Sequence, residues 1–488
     1  MPKPDRIPAI PVALTAAIVF AFLALPLPAH AAPADDPETV TIDGDTYRIV
    51  GKTLLDRWGF EPIDIPREEN AAWVYIEAID SMNMWPEDPK LLQRFEHVLG
   101  HGFTEDFPEL RAWVRRQRDG IALLCKASRM ERYGFPLLLD HPMPREPLVA
   151  AVLSPHLNSM RLASRLLVVE AWLHADEGQF EEAVESLATI HRMSAHAAKP
   201  GVMIDGLVGL ALDAIGNDAV RNIVRRHEIP EKHLAELQKT MTEAWRKAPT
   251  AADIYEGERR WNRAVVDDVF SGRVSLDEIG VFGLEPHGES FIRSLIGSEG
   301  LRAVLPDRTV AGHFGDAFDA LKAMSRRPAW ALKESSDARK SYDKPIPQWN
   351  VLGRVLMPVL GRASLAFAKG RIDNELTRTL IALHRYKADT GHFPNRIERL
   401  VPDYLDAVPT DGWDPDGKPL RYRRSLDPAG YTIYSVGYNG KDNGGGPDVL
   451  HSDLSRDPGD YGFAYPMPPP EPFKEREEEP GIGFDPFD

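Results

Sequence analysis

The chain of 488 residues contains a single cysteine, Cys125. No intramolecular disulfide can form, and zinc sites built on paired cysteines are excluded. Cys125 closes the apolar run Ile121-Ala122-Leu123-Leu124, where a free thiol behaves as a small hydrophobe, so a buried helical thiol is expected. Positive net charge is also missing: 58 basic against 74 acidic side chains give a formal charge of −16. That balance opposes contact with phosphate backbones and anionic lipid, so no nucleic-acid partner is expected. Three catalytic signatures are absent: the Gly-x-Ser-x-Gly elbow, the full Gly-x-x-x-x-Gly-Lys-Ser/Thr phosphate loop and a Gly-x-Gly-x-x-Gly segment opening a helix.

What is present begins with a globular balance, 43% hydrophobic and 27% charged, in a chain long enough for two or three structural units. Lys3 and Arg6 precede an apolar run at 12–25, and Ala29-His30-Ala31-Ala32 follows it. This is the layout of a secretory signal peptide, with cleavage expected after Ala31. The run is shorter than the about 20 apolar residues of a membrane span, so the membrane is a partner only if this segment stays uncleaved. Export to the periplasm, the cell envelope or the exterior follows. An exported chain with one cysteine must then be stabilised by its core.

Residues 39–50 alternate around Asp43-Gly44-Asp45 and predict a small hairpin, with a linker to residue 66. A helical region follows at 67–345, where Ala71, Val74, Tyr75 and Ala78 share one face and further runs lie at 109–133, 157–175, 180–197, 202–226 and 231–247. Within it, residues 171–187 resemble the turn and second helix of a tetratricopeptide (TPR) repeat. Gly178 would serve the turn, Phe180 and Leu187 the interface, and Ala183 the close approach of the two helices. An ordinary helical hairpin is the alternative. His191 and His196 stand five apart without a His-Glu-x-x-His pattern, and are expected in a helix surface or core rather than on a metal. Glu256, Glu258, Asp267 and Asp268 offer carboxylates for acid–base work or simply a solvated helix face. Proline and acid in 467–488 predict an extended, solvated, disordered tail.

The most definite patterning lies at 371–466. Ile372, Leu376, Leu380 and Leu383 form a helical stripe, and Lys387, Gly391 and Pro394 end the helix near Thr390. Turn residues Asp411, Gly412, Asp414, Pro415, Asp416 and Gly417 lead into alternation at Leu420 and Tyr422, and Asp427-Pro-Ala-Gly430 turns into Tyr431-Thr-Ile-Tyr-Ser-Val436, a β-hairpin.

Four motifs in order, Tyr386-Lys-Ala-Asp-Thr-Gly-His-Phe-Pro394, Val408-Pro-Thr-Asp411, Asp416-Gly-Lys-Pro-Leu-Arg-Tyr422 and Tyr434-Ser-Val-Gly-Tyr-Asn-Gly440, resemble the soluble part of the major pseudopilin of type II secretion systems. The resemblance implies a small α+β fold and Ca²⁺ in the loop after the second strand, with Asn439, Asp442 and Asp448 as metal ligands. Hard oxygens on a Gly-rich loop suit that ion, and the same residues also define a plain turn. Asn439 stands where the family has an aspartate, which removes one charge from the site. The family's uninterrupted hydrophobic arm is replaced at 352–367 by a segment containing Gly353, Pro358 and Gly361, so filament assembly by the family's route is not expected.

The expected architecture is therefore a mainly α-helical, TPR-like region followed by a pseudopilin-like α+β domain. The divisions fall at 1–31, 32–66, 67–345, 346–466 and 467–488. The expected function is that of an exported non-enzymatic envelope or periplasmic protein that makes protein–protein contacts, associated with type II secretion or pilus-like machinery. The alternative is an exported enzyme with its site in the helical region, which buried carboxylates or histidines lining a cleft would favour.

Overall fold

The computed structural model describes residues 38–141, 149, 152–199, 201–270, 307–333, 351–425, 429–445 and 459–476. The signal segment 1–31 and Asp448 lie outside them.

The N-terminal hairpin forms where alternation places it. β1 (Thr39–Ile42) pairs antiparallel with β2 (Asp45–Ile49) across Asp43 and Gly44, both at positive φ, and Val40 and Ile42 turn inward. A third strand, β3 (Leu138–Asp140), completes the sheet in the order β1-β2-β3. Three residues, all apolar but one, carry too little pattern to announce a strand, and the partner is remote in sequence.

Helices follow: α1 (Lys52–Trp58), α2 (Ala71–Asp80), α3 (Pro89–His101), α4 (Pro108–Arg116) and α5 (Arg118–Arg129). Two of them start on side-chain caps: Asn70 accepts from Ala72 N at 3.1 Å, and Asp88 from Leu91 N at 2.8 Å. The expected single run at 109–133 breaks at Gln117, whose amide donates back to Trp113 O at 3.2 Å and accepts from Asn83 N at 3.0 Å. A residue that ties two elements in this way ends one helix and begins the next.

α6 (Pro155–Asp176) and α7 (Phe180–Ala197) form the hairpin read from the sequence. Gly178 takes φ +73° in its turn, and Ala183 and Leu187 are fully buried. α8 (Met203–Arg226), α9 (Glu231–Lys247), α10 (Ala251–Phe270), α11 (Asp307–Ser325) and α12 (Ala329–Lys333) lead to α13 (Val351–Thr390). α7 packs on α6, α8 and α9.

α13 ends where Gly391, at φ +80°, predicts. It begins at Val351, however, and runs through Gly353, Pro358 and Gly361 without a break, a difference from the interrupted segment expected there. Pro358 forfeits one intrahelical hydrogen bond, and 40 residues of helix carry that loss. The second sheet has the order β4 (Arg421–Arg424), β5 (Tyr431–Ser435), β6 (Tyr461–Tyr465), all antiparallel. β6 is a second strand that local sequence did not announce.

The protein is thus mostly helical with two small antiparallel sheets. One hydrophobic core runs from Val40 and Ile42 through Leu166 and Leu187 to Ile372, Leu380, Ile433 and Phe463. α13 packs on α8, α9 and α11 as well as on β5, so the C-terminal module and the helical region share that core. Of the tail expected to be solvated, residues 473–476 run against α3: Phe473 lies 5.3 Å from the His97 ring and 5.2 Å from Phe107, and Arg476 N donates to Gln93 at 2.8 Å. One aromatic ring with an apolar seat holds down the proline-rich segment. Among the described residues no helix is long and apolar enough to cross a membrane.

Candidate functional site

The loop leaving β5 is built on hydrogen bonds between carboxylates and backbone. Asp411 receives Ser435 Oγ at 2.7 Å, Val436 N at 2.8 Å and Trp413 N at 3.0 Å, and so ties the turn after α13 to the end of β5. Burial raises its carboxyl above the ordinary range despite those donors. Asp460, also buried, receives Asn443 N at 3.1 Å and Gly445 N at 2.7 Å and holds the Gly-rich loop closed against β6.

The expected calcium ligands fall within this framework. Asn439 accepts from Lys441 N at 2.7 Å and donates to Asn443 Oδ1 at 2.8 Å. Asp442 receives the Tyr434 hydroxyl at 2.9 Å, Gly444 N at 3.0 Å and Arg421 Nε at 3.3 Å. Partial burial opposes its ionisation, yet these donors hold its carboxyl below the usual range. Arg421 also pairs with Asp414, so its guanidinium bridges two carboxylates. Asp448 lies outside the described residues, and among those residues no cluster of three metal-ligating side chains occurs.

As they stand, Asn439 and Asp442 do not fit a Ca²⁺ ion. Their oxygens already accept from protein donors, and the guanidinium beside Asp442 repels a second cation. The unfolding midpoint of the whole protein is accordingly expected to be the same with millimolar calcium and with chelator in scanning calorimetry. A midpoint that rises with calcium would contradict this assignment of the loop oxygens.

Beside this loop lies an open groove of about 590 Å³, between residues 395–398 and β4. Arg396, Lys418, Arg421 and Arg423 line it, together with Glu398, Tyr422 and Asp442. Lys418 pairs with Asp416 at 2.7 Å, and Arg421 with Asp414 and Asp442. Arg423 donates to the Tyr434 hydroxyl at 3.1 Å and to Gly444 O, and among the described residues neither Arg423 nor Arg396 has an acidic partner. Below the groove Tyr422 Oη donates to Pro394 O at 2.6 Å, and Arg424 to Phe393 O at 3.1 Å. A concentration of exposed cations on so acidic a chain is the signal that the sequence carried in Arg421-Tyr-Arg-Arg424 and that motif reading passed over.

Buried ionisable groups gather elsewhere at the start of α8. Asp205 Oδ2 accepts from Val202 N at 3.2 Å, Glu258 Oε2 from Met203 N at 2.8 Å, and Glu258 Oε1 from Asn262 Nδ2 at 3.0 Å. Burial, with Glu258 close by, pushes Asp205 up to about 7, and burial raises Glu258 as well. Tyr75 Oη lies 3.0 Å from His196 Nδ1, and Tyr133 stacks on the same ring at 5.1 Å. Burial, reinforced by Lys199 and Lys247, drives His196 down to about 3, so it is neutral at physiological pH.

His191 Nδ1 meets Asp213 Oδ1 at 2.8 Å, and Asp213 Oδ2 accepts from Asn217 at 2.9 Å. Gly216 makes room for this ring, since a Cβ there would stand 3.0 Å from it. These histidines and carboxylates sit inside helix contacts, where they cap α8 and pin side chains together. Of the other carboxylates noted in the sequence, Glu256 pairs with Lys322 at 2.8 Å, and Asp268 receives Val149 N at 3.1 Å. Cys125 is half-buried, its thiol pushed up to about 11 by burial, with the Thr189 hydroxyl at 3.4 Å.

A further buried network joins the module to the helical region. Arg221 Nη1 of α8 meets Asp373 Oδ1 of α13 at 2.8 Å and Thr377 Oγ1 at 3.0 Å. Tyr461 of β6 donates to the same Asp373 oxygen, and the guanidinium lies 4.4 Å from the Phe463 ring centre.

Comparison of the chain with protein-family models, with curated proteins and with solved structures gives no match.

Proposed function

We propose that this is an exported, non-enzymatic envelope or periplasmic protein whose C-terminal module, similar in sequence to a major pseudopilin, makes protein contacts while fixed to a helical body with a TPR-like hairpin at α6 and α7. The observation that carries the reading is the seating of α13. A pilin-like subunit needs its long helix free to pack against other subunits, whereas α13 buries its stripe on α8, α9 and α11 and is locked there by Arg221 and Asp373. The module is then a presented surface rather than a polymerising unit. Asp205, Asp213, Glu256 and Glu258 of the helical region are engaged in capping and pairing, which supports contact over catalysis.

Photo-crosslinking residues placed at Asn395 and Lys418 of the module, and at Lys232 of α9 as a control, test this in cells. All three positions are exposed. Discrete adducts with an envelope or secretion component are expected from the first two positions, in a protein whose N-terminus begins after Ala31. Retention in the cytoplasm, or no adduct from any position, would overturn the reading.

A further inference from the structure

The groove beside β4 carries a more specific inference, which rests on the contact reading above. β4 pairs with β5 on one side and is the edge strand of its sheet. Ser425 N donates to Gly430 O at 3.0 Å, which fixes the alternation: residues 425, 423 and 421 direct their backbone groups at β5. The N–H and C=O of Tyr422 and Arg424 therefore point to the open edge, and the groove lies beside it at residues 421–423. An unpaired edge is a template for one more strand. Here the walls are basic. Arg396 and Arg423 are exposed cations without an acidic partner among the described residues, on a chain whose formal charge is −16.

We infer that this groove takes an extended acidic peptide segment of a partner protein, added to β4 as a fourth strand, with the peptide's carboxylates meeting Arg396 and Arg423. Backbone pairing to Tyr422 and Arg424 supplies register, and the two arginines select charge. Such contacts are charge-assisted and exposed, so salt weakens them. Glu398 on the opposite wall sets a limit on where a carboxylate can lie and favours spacing by alternate residues, which an extended strand provides.

The test uses the whole protein and a fluorescein-labelled peptide of alternating glutamate and valine, read by anisotropy. Saturable binding is expected, weakening at least tenfold in Arg396→Glu and further in Arg396→Glu/Arg423→Glu, and falling as salt rises. The same peptide N-methylated at alternate amides should bind at least tenfold more weakly, and an alternating lysine–valine peptide should not compete. The Arg396 side chain makes no hydrogen bond or ion pair among the described residues, so its reversal leaves the fold intact, whereas Arg423 also holds Tyr434. Equal binding of the N-methylated peptide, equal competition by the lysine peptide, or no binding at millimolar peptide would overturn the inference. Should the peptide fail while crosslinks from Asn395 or Lys418 persist, the strand-addition inference falls and the contact reading stands; loss of both removes both.

Discussion

Arg221→Met is expected to destabilise the protein by about 3–5 kcal/mol, the range for breaking a buried ion pair by removing one partner. The reason lies in what remains. Asp373 is buried and would keep only the Tyr461 hydroxyl and its neighbours on α13, with no cation to offset its charge. Packing is lost too, because the guanidinium covers the Phe463 ring. Methionine keeps most of the side-chain volume, so the loss reports charge more than cavity. Arg221→Met/Asp373→Leu removes both charges and should recover most of the stability, since an apolar pair of similar volume often matches a buried ion pair.

The readout is the urea midpoint of the whole chain. Because the core is continuous from the helical region into the second sheet, the variant is expected to shift a single transition rather than split it. A midpoint for Arg221→Met indistinguishable from that of the parent would show that the pair does not hold α13 in place. A double variant as damaged as the single one would show that packing, not charge, is what Arg221 contributes.

How much of this could be read beforehand depends on the range of the interaction. The helices at 180–197 and 231–247 were legible because each carries its own amphipathic pattern, and the end of α13 was legible from Lys387, Gly391 and Pro394. The hairpins were legible because turn residues and alternation are local. β3 and β6 were not. Each is short, and each is a strand only because a hairpin distant in sequence offers it an edge. The long start of α13 was missed for the opposite reason: Gly353, Pro358 and Gly361 weaken local helix preference, and helix forms regardless.

Asn439 and Asp442 do lie in a polar loop, but composition alone could not reveal that Arg421 and Tyr434, on the neighbouring strands, already contact the carboxylate. Likewise the pairing of Glu258 with Asp205 depends on two helices meeting. In the sequence Glu258 stands with Glu256, Asp267 and Asp268 as candidate carboxylates, and nothing local singles out Asp205.

That pairing leads to the second large effect. Asp205 has its carboxyl raised to about 7, from an ordinary value of 3.8, first by burial and then by Glu258. The sign follows from proton counting. Between those two values the folded protein keeps a proton that the unfolded chain has released, so stability falls as pH rises through this window, and the full penalty is present above the folded value. At about 1.4 kcal/mol per unit, the penalty at pH 8 is on the order of 4 kcal/mol.

Asp205→Asn keeps an oxygen to accept from Val202 N and cannot ionise. It is expected to match the parent near pH 4 and to exceed it in stability by several kcal/mol at pH 8, with Glu258 supplying the slope that remains. Urea denaturation across that pH range measures the difference. Parallel profiles for the two proteins, or an asparagine variant weaker at pH 8, would mean that the carboxylate at the start of α8 is ionised and stabilising there. The alternative for the site would then reopen, because an ionised buried Asp205 beside Glu258, with neutral His196 near and a Tyr133 hydroxyl that has no partner among the described residues, would be two carboxylates kept charged inside a protein at a cost that capping alone does not explain.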